Sequence, residues 1–235
     1  MRVVVTRPYP DGERTAAAVR ARGHEVLLAP LMRIERVAAD LSGDWGAVVI
    51  TSANAPDAIP MSERAALVNL PIFAVGSRSA RAALRVGFTD VISAGGKVSD
   101  LVRVIAGRHA DKAPLLYLAG EDRAADLIGA LTAHGIAAEL RVIYRAVTVP
   151  FPEMLIAALK PNGVDAVLHF SKRSAENYIA GARVAGLTEA ALAVRHLCLS
   201  SQIAVPLAGA GARRVAIARE PNEAALIELL DEPEG

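Results

Sequence analysis

One long segment of this chain is used twice, and that duplication constrains the fold more than any other feature. Residues 3–37 align with residues 115–149 without a gap, at a shift of 115 − 3 = 112. Under that shift Gly23 meets Gly135, Leu28 meets Leu140 and Arg33 meets Arg145. Further on, Ser52 meets Ser171 at 171 − 52 = 119. Gly76 then meets Ser200 at 200 − 76 = 124, and Gly87 meets Gly211 at the same shift. Chance similarity in a sequence rich in Ala, Val and Leu could supply any one pair. It does not supply an ordered series whose shift grows stepwise, as insertions in surface connections make it grow.

Short β-branched runs alternate with amphipathic stretches from end to end, the pattern of parallel α/β architecture. Expected strands cover residues 3–6, 26–29, 48–51, 72–75, 91–92, 115–118, 137–140, 167–170, 197–199 and 215–218. Helices are expected over 12–22, 80–86 and 122–134, ending at Gly23, Gly87 and Gly135. Ser99 and Asn222 have the chemistry of N-caps for two further helices. Pro206 falls inside the stretch after Ser201, which predicts a short or bent helix there. Ten strands in two copies of five predict two small doubly wound sheets. Segments 31–37 and 142–149 occupy equivalent places in the two copies and read as crossovers between the sheets.

Four strand ends share a composition. Thr51-Ser52-Ala53-Asn54 and Phe170-Ser171-Lys172-Arg173-Ser174 are equivalent, as are Gly76-Ser77-Arg78 and Ser200-Ser201-Gln202. A strand that stops in small hydroxyl and glycine residues before a helix leaves a cradle of free backbone N–H groups suited to an anion.

Composition narrows the partners. A net charge of +1 and 4% aromatic residues argue against a nucleic-acid surface, which needs a basic stripe or stacking platforms. The single cysteine, Cys198, cannot form an internal disulfide and fits a reducing compartment. The opening Met1-Arg2-Val3-Val4-Val5-Thr6 is too short for a signal-peptide core, and no apolar run reaches the roughly 18 residues of a membrane span. The expectation is a soluble, cytoplasmic protein. His24, His109, His134, His169 and His196 show no metal-ligand spacing, and no dinucleotide fingerprint, phosphate loop or nucleophile elbow is present.

Several stretches, in order, carry a resemblance. Val5-Thr6-Arg7-Pro8, Arg22-Gly23-His24-Glu25-Val26, Asp44-Trp45 followed by Thr51-Ser52-Ala53-Asn54-Ala55, Ala74-Val75-Gly76 and Val142-Ile143-Tyr144-Arg145 together resemble the uroporphyrinogen-III synthase family over essentially the whole chain. The resemblance implies an α/β fold of two flavodoxin-like, doubly wound parallel-sheet domains joined by a two-stranded β-ladder. One domain would be residues 1–30 plus 150–235 and the other 38–140, with linkers 31–37 and 141–149. It also implies a monomeric, cofactor-free lyase with a cleft between the domains. The implied reaction closes the linear tetrapyrrole hydroxymethylbilane to uroporphyrinogen III, inverting ring D through a spiro intermediate with loss of water. No metal is implied, because loss of hydroxide from an electron-rich pyrrole gives a stabilised azafulvene cation.

The resemblance assigns Tyr144 to the tyrosine that assists hydroxyl departure, and a neutral phenol can donate a hydrogen bond at pH 7. The duplication adds an independent point: its counterpart is Met32, which has no proton to give. For the eight substrate carboxylates, the candidate contacts are Arg7, Thr51, Ser52, Ala53, Asn54, Gly76, Ser77, Gly120, Arg123, Ser171, Lys172, Arg173, Ser174, Ser200 and Ser201. Helix capping competes with ligand contact for Ser and Asn, and surface ion pairing competes for Lys172, Arg173 and Arg123. Gln202 and Ile203 stand where the family has a hydroxyl pair. A non-catalytic two-lobed binding or sensor module for an anionic small molecule is the alternative reading.

Overall fold

A computed structural model describes residues 1–235 except 110–112, 124, 161–162 and 233–235. The strands are β1 (Arg2–Val5), β2 (Glu25–Leu28), β3 (Met32–Arg36), β4 (Ala47–Ile50), β5 (Ile72–Ala74), β6 (Val91–Ser93), β7 (Leu115–Gly120), β8 (Ala138–Thr148), β9 (Ala166–His169), β10 (Arg195–Cys198) and β11 (Val215–Ile217). The helices are α1 (Asp11–Arg20), α2 (Asn54–Ala58), α3 (Met61–Leu67), α4 (Ser77–Arg85), α5 (Val98–Arg108), α6 (Leu127–Thr132), α7 (Glu153–Leu159), α8 (Lys172–Val184), α9 (Thr188–Ala193), α10 (Ser201–Ala210) and α11 (Glu223–Glu228). No helix of the described residues is long and apolar enough to cross a membrane.

Two sheets form, in the orders β11-β10-β9-β1-β2 and β3-β8-β7-β4-β5-β6. The chain divides into two compact units, one of Met1–Arg33 with Val147–Gly235 and the other of Ile34–Ala146. Each sheet pairs the first two strands of one copy with the last three of the other. The duplication fixes register as well as order. Val3 pairs with Val26, and Leu115 with Ala138, each moved by 112. Ala47 pairs with Leu115 as Ala166 pairs with Val3, and Ile72 pairs with Val91 as His196 pairs with Val215. All of these ladders are parallel.

Both faces of each sheet are covered, which is why the strands read as continuous apolar runs. In the second unit Val48, Ile50, Ile72, Leu116 and Leu118 build one core cluster, while Ala47, Val49, Phe73, Leu115 and Tyr117 build another. Successive residues of a strand point to opposite faces, so each strand feeds both clusters. The first unit departs from this apolar rule on β9 and β10, where Arg195, His169 and His196 are buried. His169 and His196 replace Ile50 and Ile72 of the other copy, and both are fully buried. His169 Nε2 lies 3.1 Å from His196 Nδ1.

Four local expectations change. The segments expected as a strand over 137–140 and a crossover over 142–149 are one eleven-residue strand, β8. Its ladder with β7 shifts register between Ala119 and Gly120. The expected crossover 31–37 supplies β3, which lies beside β8. Val37 N–H donates to Ile143 O and Val149 N–H to Leu31 O. The paired numbers sum to 180 in both cases, the mark of an antiparallel ladder. Ser99 does not cap its helix, because α5 starts two residues earlier than such a cap requires, at Val98 after Lys97. The helix expected over 122–134 is confined to α6, since the Asp126 carboxylate accepts from Gly129 N–H and starts the helix there. Pro206 does not shorten α10, which runs through it to Ala210 and stops at Gly211 with φ 102°. Asn222 caps α11 as expected, accepting from Ala225 N–H at 2.9 Å.

Candidate functional site

The second unit holds a cavity of about 510 Å³ at the C-terminal ends of β4, β5 and β6. Three chain segments line it: Thr51-Ser52-Ala53 after β4, Val75-Gly76-Ser77-Arg78-Ser79 entering α4, and Ser93-Ala94-Gly95-Gly96 after β6. Open α/β sheets place ligands at this end of the strands, where helices begin and N–H groups face outward. The second and third segments approach closely. A Cβ at Gly76 would stand 3.3 Å from Gly96 Cα, and Gly96 itself has φ +99°. Gly96 N–H donates to Val75 O at 2.7 Å, which locks the two turns together.

Behind the first segment stands Tyr144, on β8. Its ring lies against Gly120 at the end of β7, so close that a Cβ there would be 2.6 Å from Cε2. The Ser52 side chain and the Gly120 backbone are the polar neighbours of the Tyr144 hydroxyl. Burial raises its pKa above the ordinary tyrosine value, and the Ser52 side chain only partly offsets that. The phenol is therefore neutral at pH 7 and has a proton to share. Beside it, Thr51 Oγ1 is 2.9 Å from the Tyr117 hydroxyl.

Of the residues proposed from sequence, the fold brings Thr51, Ser52, Ala53, Gly76 and Ser77 onto one cavity wall, with Tyr144 and Gly120 directly behind. Asn54 begins α2, and its N–H donates to Ser52 Oγ at 3.2 Å. Arg123 folds back on its own turn, donating to Gly120 O at 2.9 Å and Glu121 O at 3.0 Å. Ser79, part of the turn that resembles the family's Gly-x-Thr-Thr-like motif, also lines the cavity; Ser93, Gly95 and Gly96 line it without having stood out in the sequence. The Gly95-Gly96 pair was the available signal, because its counterparts at shift 124 are Arg219 and Glu220.

The first unit uses its equivalent residues differently. Ser171 and Ser174 form a reciprocal capping box on α8: each backbone N–H donates to the other's hydroxyl. Lys172 is exposed and pairs with Glu176 at 3.8 Å, while Arg173 is half-buried on the first turn of α8. Ser200 caps α10 by backbone conformation alone, and Ser201 is exposed at its start. Arg7 lies over the Phe170 ring at 4.2 Å. Its guanidinium donates to Asp11 at 3.1 Å, Glu223 at 3.3 Å and Thr15 at 3.2 Å, so two carboxylates already meet its charge. Among the described residues no three or more His, Cys, Asp or Glu side chains gather to hold a metal ion.

Residues 13–228 match the family model described as uroporphyrinogen-III synthase HemD. The chain belongs to the uroporphyrinogen-III synthase family. No curated protein sequence matches it. Two solved structures share its fold. A uroporphyrinogen-III synthetase from Helicobacter pylori superposes with TM-score 0.67 at 19% identity, covering 98% of each chain. A mutant uroporphyrinogen III synthase from the extremely thermophilic bacterium Thermus thermophilus superposes with TM-score 0.52 at 18% identity, covering 98% of this chain and 97% of the other. Membership in the uroporphyrinogen-III synthase family makes the chain an enzyme of porphyrin biosynthesis with a tetrapyrrole substrate. The fold is that of the family: two flavodoxin-like sheets and a β-ladder.

Proposed function

We propose that the chain is a cofactor-free hydro-lyase that closes hydroxymethylbilane to uroporphyrinogen III with inversion of ring D, working as a cytoplasmic monomer that does not bind nucleic acid. The observation that carries this reading is Tyr144, buried and neutral beside Ser52 on the wall of a cavity rich in hydroxyls and backbone donors. The first step breaks the bond between the terminal hydroxymethyl carbon and its oxygen. The pyrrole nitrogen lone pair pushes and the oxygen leaves as water once protonated, so a donor at that oxygen is what a protein can add. Tyr144 supplies the hydrogen bond. Holding the chain so that its ends meet in the inverted sense is the larger task.

In this reading Thr51, Ser52, Ala53, Gly76 and Ser77 receive substrate carboxylates through hydroxyls and N–H groups, charge-assisted bonds that need no net positive charge. Residues 1–30 with 150–235, and 38–140, act as the two domains, and 31–37 and 141–149 as the connecting strands. In the first domain Ser200, Ser201, Lys172 and Arg173 remain able to contact carboxylates. Arg7, Ser171 and Ser174 are more useful as the frame that holds the strand ends.

A coupled assay tests this. Porphobilinogen is fed through a deaminase with and without the protein, and the oxidised porphyrin isomers are separated. Uncatalysed closure gives isomer I, so predominant isomer III is the expected result. Isomer I alone would remove the synthase reading and leave a binding module. Tyr144→Phe should lower the rate of isomer III formation roughly 10-fold, the value of one hydrogen bond to a departing oxygen. A variant with the full rate would take Tyr144 out of the mechanism.

A further inference from the structure

The duplication provides an internal control for each side chain of the site. Tyr117 corresponds to Val5 (117 − 112 = 5) and Thr51 to Phe170 (51 + 119 = 170). Val5 is fully buried in the first unit's core, and Phe170 packs against the same cluster. The same backbone frame thus accepts an apolar pair at these two positions. The hydroxyl pair of the second unit is an addition that folding does not require.

The hydrogen bond between them can run in either direction, and each direction sends the remaining proton to a different place. Tyr117 is 3% exposed and sits in a cluster of apolar side chains that includes Phe73. Its hydroxyl and that of Thr51 share one 2.9 Å contact, with two protons between them. If Thr51 donated, the phenol proton would turn away from Thr51, toward a second cavity of about 390 Å³ that Tyr117 also lines. If Tyr117 donates, one lone pair of Thr51 Oγ1 is used and the Thr51 proton is left for the cavity that Thr51 lines. Only the second arrangement offers that cavity the Thr51 donor.

We propose that Tyr117 is a positioning residue that fixes the Thr51 hydroxyl as a hydrogen-bond donor into the cavity, where it holds a substrate carboxylate. The inference rests on the synthase reading for its substrate, and its effect falls on binding rather than on the chemical step.

The test uses Tyr117→Phe, Thr51→Val and the double variant in the full chain. Kinetics of isomer III formation are read together with the dissociation constant for uroporphyrin III, an octacarboxylate, by fluorescence titration. Tyr117→Phe should raise both KM and that dissociation constant about 3- to 10-fold, the span of one hydrogen bond. The turnover number should stay within about 2-fold, as loss of uniform binding requires. The double variant should be no worse than Thr51→Val, because Tyr117 acts only through Thr51. Thr51→Ser should bind like the wild type while Tyr117 is present. Unchanged KM and dissociation constant in Tyr117→Phe overturn the proposal, even if the urea midpoint drops. So does a double variant that multiplies the two single losses. If the wild type yields only isomer I, the synthase reading fails on its own, and the porphyrin titration still decides the role of Tyr117.

Discussion

Replacing His169 and His196 together by isoleucine should stabilise the protein at pH 7 and do so far more at pH 5. The two imidazoles are fully buried against each other and edge-on to Tyr178. The charged groups that act on them are few: each other and, for His196, Arg214. Desolvation pushes His196 down to about 4 and His169 well below its ordinary value. The sign follows from linkage. With the folded-state values depressed, the unfolded chain binds more protons below about pH 6.5, so stability is intact above that pH and lost as pH falls. Between pH 6.5 and 5 the loss depends little on how far each value is depressed, and comes to about 2 kcal/mol per histidine. At pH 7 a smaller gain remains, about 1–3 kcal/mol, because His169 Nδ1 is buried without a partner.

The other copy shows that the frame takes the replacements, since Ile50 and Ile72 occupy these positions fully buried. Urea unfolding midpoints of both proteins at pH 7 and pH 5 measure the effect. A wild-type midpoint that is the same at both pH values would show that the histidine pair carries no such load.

Gly120→Ala is the second large expectation, and it acts on chemistry. The added Cβ would fall 2.6 Å from Tyr144 Cε2, 2.7 Å from Cζ and 3.0 Å from the hydroxyl. The ring is held between β-sheet backbone and the apolar cluster of Ile50, Leu118 and Ile143, so it cannot yield without moving its hydroxyl off Ser52. A displacement of about 1 Å at a positioned donor can cost on the order of 100-fold in rate. Because Gly120→Ala acts through the phenol, we expect a fall in isomer III formation of up to roughly 10-fold, the loss that Tyr144→Phe gives. Overpacking should also lower stability by about 1–3 kcal/mol. Combining Gly120→Ala with Tyr144→Phe separates the causes. Since the first variant acts by removing the phenol from its place, the double variant should be about as slow as the slower single one. Strict multiplication of the two losses would mean that Gly120 matters for something other than Tyr144.

The loops differ from the frame in how far they could be read. Offsets of 112, 119 and 124 between residue pairs predict which strands are equivalent, and the ladders obey them residue by residue. That part was legible because duplication copies backbone geometry, and pairing register follows from it. Thr51, Ser52, Gly76 and Ser77 were legible for the same reason: small and hydroxyl residues at a strand end mark a turn with free donors. The start of α6 was not. Residues 122–126 read as helix by composition, yet the Asp126 carboxylate takes Gly129 N–H and sets the boundary by itself.

The sequence alone determined the two-sheet α/β architecture and the family; the exchange of strands between copies came from the family resemblance. Each rests on local pattern repeated along the chain, and pattern survives without knowledge of what touches what. Tertiary structure decided the rest. Arg7 looked like an anion site until Glu223, 216 residues away, came to lie against it. Gly120 stood as a candidate carboxylate contact until the Tyr144 ring lay on it. Gly95 and Gly96 acquired a place in the cavity only when β6 brought them against Gly76. Periodicity tells a side chain which face it occupies. The partner it meets there is set by which distant strand the register brings alongside, and that is a property of the folded sheet.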